Sequence, residues 1–191
     1  GATLLLLGRN EVRLEEVKSK LSLGAHKCLV VDLSDFEVLE QILKPFLESS
    51  GAIHGLVNAA GVTSTFPFKL FKPEKLDGLL KINVHAAFYL SKLMLKKMNK
   101  TGGSIVFISS IMATHGEKAK TLYAISKGAV SAGVKSMAIE LAAKGIRVNS
   151  VAPGIVNTPM TASATYKKNE ELLKSTLSKY PLGFGEPEDV A

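Results

Sequence analysis

The 191-residue chain has 46% hydrophobic residues and a formal net charge of +7, which suits one folded domain with a sizeable core. Its single cysteine, Cys28, excludes an internal disulfide and favours a reducing compartment, where we interpret it as a buried, unreactive thiol. No apolar run approaches the roughly 20 residues that cross a bilayer. The first residues do not resemble a signal peptide, so we predict a cytoplasmic protein that binds neither a membrane nor a metal.

The positive charge comes from lysines gathered at 92–100, 118–120 and 167–179. Such clusters could attract nucleic acid, an acidic protein or a phosphorylated cofactor. The lysines alternate with apolar residues at helical spacing and lack accompanying aromatic residues for base stacking. We therefore interpret them as solvated helix surfaces and predict no nucleic-acid binding.

Along the chain, short apolar runs alternate with helical patterns. The predicted strands are 2–7, 27–31, 55–58, 104–109 and 147–152, and the predicted helices are about 11–21, 36–50, 74–100 and 123–144. This alternation predicts an α/β fold with parallel strands and right-handed crossovers. The first strand is continuously apolar, which predicts burial on both faces. Asp35 is placed to cap the second helix.

A candidate site lies where the strand 104–109 ends and the next helix begins. Tyr123 and Lys127 are four residues apart and should project from one helical face towards Ser110. An ammonium beside a phenol should lower the phenol's pKa. A serine hydroxyl can donate a hydrogen bond to a carbonyl oxygen that is gaining negative charge. A Tyr-x-x-x-Lys pair alone is a weak signal, because chance often places such a pair on an exposed helical turn.

Other motifs accompany this pair at specific spacings. Ser110 precedes Tyr123 by thirteen residues, Asn-Ala-Ala-Gly occupies 58–61, Asn83 lies on the intervening helix, and Pro-Gly at 153–154 is followed by Thr158. The set resembles the short-chain dehydrogenase/reductase family over essentially all of the chain, and looks most similar to its 3-oxoacyl-[acyl-carrier-protein] reductases. The resemblance implies a single Rossmann-like NAD(P)-binding domain over 1–191, with a doubly wound parallel sheet flanked by helices.

The resemblance also implies roles for four residues. Tyr123 would be the acid/base, Lys127 would lower its pKa and hold the nicotinamide ribose, and Ser110 would orient the carbonyl. Asn83 would hold a helix kink and a water that relays protons to the lysine. His115, in the loop before Tyr123, we interpret as a surface or substrate-contact residue and not as a catalytic one.

For the cofactor, the resemblance places Asp32 and the Leu33 backbone beside the adenine. The remaining implied contacts are Asn58, Ala59 and Gly61 near the adenine-side ribose, and Pro153, Gly154, Ile155 and Thr158 around the nicotinamide and pyrophosphate, in addition to Tyr123 and Lys127. Ala59 departs from the common family form, which has a second asparagine. Arg9 follows the first strand with no acid adjacent in the sequence, which suits a 2′-phosphate and favours NADP(H). The alternative is that Arg9 only caps a helix or faces solvent.

The family's opening strand, its glycine-rich turn and its last strand are not found in the sequence. In the strand order of this fold the opening strand lies between the first and third strands predicted here, which would then lack a shared neighbour. We therefore expect that the sequence is part of a longer protein, incomplete at both ends. A protein that began at Gly1 should bind its cofactor poorly.

The predicted function is an NADP(H)-dependent oxidoreductase that interconverts a carbonyl and a secondary alcohol. A 3-oxoacyl thioester on acyl carrier protein is the favoured substrate, because a basic surface could receive an acidic carrier. Sugar, polyol or steroid alcohols with NAD remain alternatives, as does a non-catalytic dinucleotide-binding scaffold. Small residues at 128–133 permit close helix packing within or between subunits, and the family resemblance implies a homotetramer or homodimer formed through this helix and the helix that carries Asn83.

Two loops are predicted to border the substrate. Phe66, Phe68 and Phe71 pack into the core by default, and a wall of the substrate site is the alternative interpretation. The lysine-rich segment 161–180 resembles a mobile lid whose closure would exclude water.

Overall fold

The computed structural model describes residues 2–98, 101–162 and 164–191. The strands are β1 Leu5–Gly8, β2 Lys27–Val30, β3 Gly55–Asn58, β4 Gly103–Ile108 and β5 Ile146–Val151. The α-helices are α1 Glu11–Ser19, α2 Phe36–Ser49, α3 Pro73–Leu80, α4 Ala86–Leu95, α5 Thr121–Ala142, α6 Pro159–Ala162 and α7 Glu170–Leu177. A π-helical turn, Lys81–His85, joins α3 to α4. Single 3-10 turns form at Phe68–Leu70, Ile111–Ala113, Thr165–Lys168 and Pro187–Asp189.

All five strands pair in parallel, as predicted, but in two separate sheets. β1 pairs with β2, and β4 lies between β3 and β5. The sequence predicted that the first and third strands would lack a shared neighbouring strand. Among the described residues β1 and β3 have none, which confirms this expectation. Parallel strands end at one edge of a sheet, so the residues after β3, β4 and β5 meet at a common edge.

Two apolar clusters hold the helices against the strands. One packs α5 against β4 and β5 around Phe107 and Val130. The other packs α2 against α4, with Leu39 and Leu43 fully buried. Asp35 caps α2 by accepting a hydrogen bond from the Val38 amide, as predicted. Each fully buried leucine contributes about 2 kcal/mol through its removal from water.

Several expectations about burial are wrong. β1 is half-buried along its length, because within the described residues only β2 pairs with it. Cys28 is likewise half-buried, and partial desolvation raises the pKa of its thiol. Phe68 is 64% exposed and Phe71 40% exposed, so neither packs into the core. Phe66 is half-buried.

The predicted helix 74–100 is interrupted, and its last two residues lie outside the described ones. α3 and α4 are separated by the π turn, which contains Asn83 at its centre. Gly133 of α5 packs against the Phe88 ring of α4, so part of the small-residue face serves packing within the chain. Segment 161–180 is largely helical where it is described. None of the described helices combines the length and apolar character needed to span a membrane.

Candidate active site

The two serines that follow β4 have different surroundings, because successive side chains of an extended chain point to opposite faces. The Ser109 hydroxyl donates to the Lys127 carbonyl (3.3 Å) and lies 2.7 Å from the Ser131 hydroxyl. Ser110 instead faces Tyr123, and its Oγ accepts from the Met112 amide at 3.2 Å. Ser109 therefore fixes β4 to α5, and Ser110 is the serine free to act beside the phenol.

Tyr123 lies in the first turn of α5, half-buried beside Ser110. Burial disfavours the phenolate and raises the pKa of Tyr123, and the hydrogen bond with Ser110 offsets only part of that rise. The expectation that Lys127 lowers the pKa of this phenol is wrong for the protein alone. The Lys127 Nζ lies 5.9 Å from the ring centroid and is engaged elsewhere.

Among the lysines whose burial the structure describes, Lys127 alone is buried, with 5% of its surface exposed. Its Nζ donates to the Ile108 carbonyl at 2.7 Å, at the end of β4. Desolvation lowers the pKa of Lys127 to about 8. The ammonium is therefore held at the edge of the sheet, still charged at neutral pH but close to losing its proton.

Asn83 is 2% exposed and has three hydrogen bonds. Its Oδ1 accepts from the Val62 amide (2.8 Å), and its Nδ2 donates to the Val62 carbonyl (2.9 Å) and to the Ser126 hydroxyl (3.0 Å). The Ser126 hydroxyl in turn donates to the Tyr123 carbonyl (2.8 Å). Asn83 lies in the π turn that interrupts the helix, and it fixes the loop after β3 against the turn that carries Tyr123.

Sequence reasoning missed Ser126 and Val62 in this network. Ser126 lies three residues after Tyr123, on the side of the helix that faces Asn83, and its complete burial was not visible in the sequence. Its position within the Tyr-x-x-x-Lys motif is the one signal that could have identified it. Val62 contributes only backbone atoms, which leave no trace in the choice of side chain.

The Asn-Ala-Ala-Gly turn after β3 contributes mainly backbone to the site. Asn58 is buried and its Nδ2 donates to the Ser91 hydroxyl of α4 at 3.0 Å, so its side chain braces the sheet. A Cβ at Gly61 would lie 3.3 Å from the Asn83 Oδ1 and 3.6 Å from the Lys127 Nζ. Gly61 thus keeps open the space in front of these polar groups. Ala59 is exposed.

At the end of the two-stranded sheet, Arg9 does have an acid beside it. Its Nη1 lies 3.6 Å from the Asp32 carboxylate, with the two side chains 65% and 44% exposed. Asp32 also accepts from the Ser34 amide (2.9 Å) and hydroxyl (2.7 Å), and these hydrogen bonds, with Arg9, lower its pKa. The acid follows the neighbouring strand, so adjacency along the sequence did not reveal it. Leu33 is half-buried against the α2–α4 cluster.

The turn after β5 is held against the residues that follow β4. The Pro153 carbonyl accepts from the Ile111 amide at 3.1 Å, and the Ile155 carbonyl accepts from the Gly185 amide at 2.9 Å. A Cβ on Gly154 would lie 2.9 Å from the Tyr180 ring, so glycine allows Tyr180 to cover the turn. The Thr158 amide donates to the Thr161 hydroxyl at 3.1 Å.

These residues fit a bound dinucleotide cofactor. Arg9 and Asp32 follow the strands of the two-stranded sheet, and Lys127, Gly61 and the turn at 153–158 lie at the carboxyl edge of the three-stranded sheet, with an arginine guanidinium and a lysine ammonium available to phosphate and hydroxyl groups. His115 is exposed and bonds with Thr114, which agrees with the surface interpretation. Within the described ranges, no group of three or more His, Cys, Asp or Glu side chains could hold a metal ion.

A family model described as "Enoyl-(Acyl carrier protein) reductase" matches residues 1–191. Among curated relatives, a 3-oxoacyl-[acyl-carrier-protein] reductase of Thermotoga maritima is 37% identical over 164 residues, covering 85% of this chain and 65% of that protein. A solved short-chain type dehydrogenase/reductase of Mycobacterium ulcerans superposes with a TM-score of 0.87 at 29% identity, covering 100% of this chain and 71% of that one. The chain belongs to the short-chain dehydrogenase/reductase family.

A further solved structure is described as an NAD(P)-dependent gluconate 5-dehydrogenase from Beutenbergia cavernae with NADP bound at low occupancy. It has a TM-score of 0.86 and 30% identity, and the match covers 99% of this chain and 76% of that one. The chain spans about two thirds of the length of the Thermotoga relative, at 65%. Family membership therefore fixes the fold, and the substrate has to be argued from the site.

Proposed function

We propose that the protein is an NADP(H)-dependent oxidoreductase that interconverts a carbonyl and a secondary alcohol. The observation that carries the proposal is the convergence of the Ser110 hydroxyl, the Tyr123 phenol and the buried Lys127 ammonium at the carboxyl end of β4. A proton donor, a hydrogen-bond donor for a developing oxyanion and a buried cation are the groups that carbonyl reduction requires.

Reduced nicotinamide, when bound, supplies the hydride. Tyr123 keeps its proton at neutral pH, since burial raises its pKa further above the ordinary value of 10, and it donates that proton to the carbonyl oxygen. Ser110 orients the same oxygen through a hydrogen bond. Lys127, charged at neutral pH, lies where it can hold the nicotinamide ribose, and Asn83 positions the loop and helix around it.

The preference for NADP(H) rests on Arg9. Its side chain is 65% exposed and its contact with Asp32 is a single long one at 3.6 Å, so the guanidinium has donors free for a 2′-phosphate. Bound NADP in the Beutenbergia relative supports the same assignment. NAD(H) is the alternative, because the Asp32 carboxylate could accept a hydrogen bond from a free 2′-hydroxyl.

For the substrate, a 3-oxoacyl thioester on acyl carrier protein is supported by the similarity to the Thermotoga reductase and by the net charge of +7. An acidic carrier would be attracted to such a surface. A homotetramer or homodimer in the cytoplasm is proposed with it, since the family forms such assemblies through the helices that correspond to α4 and α5. Sugar, polyol and steroid alcohols are the competing substrates.

The experiment follows NADPH absorbance with a panel of ketones and 3-oxoacyl thioesters, with NADH as the control cofactor. Tyr123→Phe should lower kcat at least about a hundredfold while NADPH affinity stays within threefold. Ser110→Ala should also lower kcat. Ser109→Ala, at the neighbouring residue on the opposite face, should lower kcat far less. Turnover by Tyr123→Phe at the wild-type rate would refute the assignment. NADPH binding without turnover of any carbonyl would instead favour the non-catalytic scaffold.

A further inference from the structure

A second lysine, Lys120, lies beside Tyr123 and has no role in the chemistry described above. Its Nζ is 5.9 Å from the centroid of the Tyr123 ring, the same distance as that of Lys127. It donates to the Thr65 hydroxyl at 2.7 Å and more weakly to the Thr63 hydroxyl at 3.4 Å. The loop after β3 and the start of α5 therefore hold this ammonium next to the phenol.

The backbone around Lys120 is built to hold it there. Ala119 has a φ of +60°, in the left-handed region that a residue with a side chain seldom occupies. Its carbonyl accepts from the Phe66 amide at 2.7 Å, which ties the segment before α5 to the loop that carries Thr63 and Thr65. Strained backbone positions persist only where the surrounding structure holds them, and they cluster at active sites, ligand-binding segments and switch regions.

The charge on Lys120 is not neutralised within the described residues. Its two partners are neutral hydroxyls, and no carboxylate there lies within 4.0 Å of its Nζ. Half burial lowers the pKa of Lys120, and the more distant Glu117 carboxylate offsets only part of this effect. A partly desolvated ammonium without a counter-ion is costly for the protein alone, and an anion bound beside it would offset that cost.

We propose that Lys120 binds an anionic oxygen group of the substrate, so that the preferred substrate is a small oxo acid or hydroxy acid. This inference rests on the proposed oxidoreductase activity and, among its candidate substrates, favours a small acid over the carrier-bound thioester. A carboxylate close to the reacting carbonyl could reach Lys120 while the carbonyl oxygen meets Ser110 and Tyr123. The phosphate of a phosphopantetheine arm lies many bonds from its thioester, too far for a cation that is adjacent to the phenol. Lys120 thus favours a carboxylate over a carrier-bound thioester.

The test compares an oxo acid with its uncharged ester, 4-oxopentanoate and methyl 4-oxopentanoate. In wild-type protein kcat/KM should favour the acid. Lys120→Met should lower the ratio of acid to ester about ten- to a hundredfold, the effect of one hydrogen bond to a charged group. Lys120→Arg should retain most of the ratio, because it keeps the charge. Lys118→Met, in the same loop but exposed, is the matched control and should leave the ratio unchanged.

A second variant predicts a change of opposite sign. Glu117→Gln removes a negative charge near Lys120 and should raise the ratio of acid to ester. If Lys120→Met lowers kcat/KM equally for the acid and for the ester, Lys120 only connects two segments of the chain and the inference is overturned. If Lys120 instead binds the phosphate groups of coenzyme A, Lys120→Met should lower kcat/KM for coenzyme A thioesters and leave kcat/KM for the oxo acid unchanged. That result would also overturn the inference.

A binding measurement separates this inference from the proposed function. Calorimetry of 4-oxopentanoate with wild-type protein and Lys120→Met requires no turnover. Binding that depends on Lys120, in a protein that reduces no carbonyl, would support the anion site and refute the proposed function. Turnover with an acid-to-ester ratio that Lys120→Met does not alter would support the proposed function and overturn the anion site.

Discussion

Burial of Lys127 should make the stability of the protein depend on pH in a way that one substitution can isolate. The pKa of Lys127 is lowered from its ordinary 10.5 to about 8 by desolvation. Between these values the unfolded chain carries a proton at this lysine and the folded protein does not. The unfolded state then binds more protons, so the free energy of unfolding rises with pH across this window. The difference of about 2.5 units corresponds to about 3 kcal/mol.

Lys127→Met keeps the length and apolar stem of the side chain but cannot titrate. We expect the free energy of unfolding of wild-type protein, minus that of Lys127→Met, to increase by about 3 kcal/mol between pH 7 and pH 10.5. Urea denaturation at half-unit steps of pH measures it, and subtraction of the two proteins cancels the other titrating groups. Lys135→Met, on the exposed face of the same helix, is the control and should give a flat difference.

A flat difference for Lys127→Met as well would refute the reasoning, because it would mean that Lys127 is solvated in the folded protein.

The same titration has a kinetic consequence under the proposed function. Reduction should slow as the pH rises through about 8, where Lys127 loses the charge that holds the ribose. A pH–rate profile for kcat/KM shows this loss as a falling alkaline limb.

Three further substitutions test the scaffold and the cofactor site. Gly102→Ala should destabilise the protein by about 1–3 kcal/mol in urea titrations, because φ is +109° there and a Cβ would collide with the Gly145 carbonyl. The control is Gly51→Ala, where a Cβ would enter open space, and it should change stability by less than about 0.5 kcal/mol. Asn83→Ala removes three buried hydrogen bonds and should cost about 2–4 kcal/mol by the same measurement; a cost below 1 kcal/mol would contradict the bracing role. Arg9→Ser should lower the preference for NADPH over NADH about tenfold or more in kcat/KM, and an unchanged preference would reject Arg9 as the determinant.

The elements built from local pattern were predictable from the sequence. The strand 55–58 was predicted with the bounds that the structure has, and Asp35 caps α2 as expected, since apolar runs and capping side chains are local signals. The break in the helix around Asn83 left no such signal. A π turn shifts the register of the following helix without requiring glycine or proline, so the apolar pattern runs through it.

The contact between Arg9 and Asp32 could have been inferred, but only by combining two predictions. Gly8 pairs with Val30 across the parallel strands, so the residues that follow each strand must approach one another. Taken singly, Arg9 had no acidic neighbour. The pKa of Tyr123, by contrast, depends on the depth of the phenol and on the carbonyl that engages Lys127, and neither quantity is encoded in the spacing of the motif.

The opposite pKa shifts of Tyr123 and Lys127 share one physical cause, and it bears on the direction of the proposed reaction. Burial disfavours the charged form of each group, so the pKa of the Tyr123 phenol is raised and the pKa of the Lys127 ammonium is lowered. At neutral pH the pair still consists of a neutral phenol and a charged lysine. A neutral phenol can donate a proton to a carbonyl but cannot accept one from an alcohol. Alcohol oxidation would first require the phenolate, which burial disfavours, so under the proposed function we expect oxidation to need a higher pH than reduction.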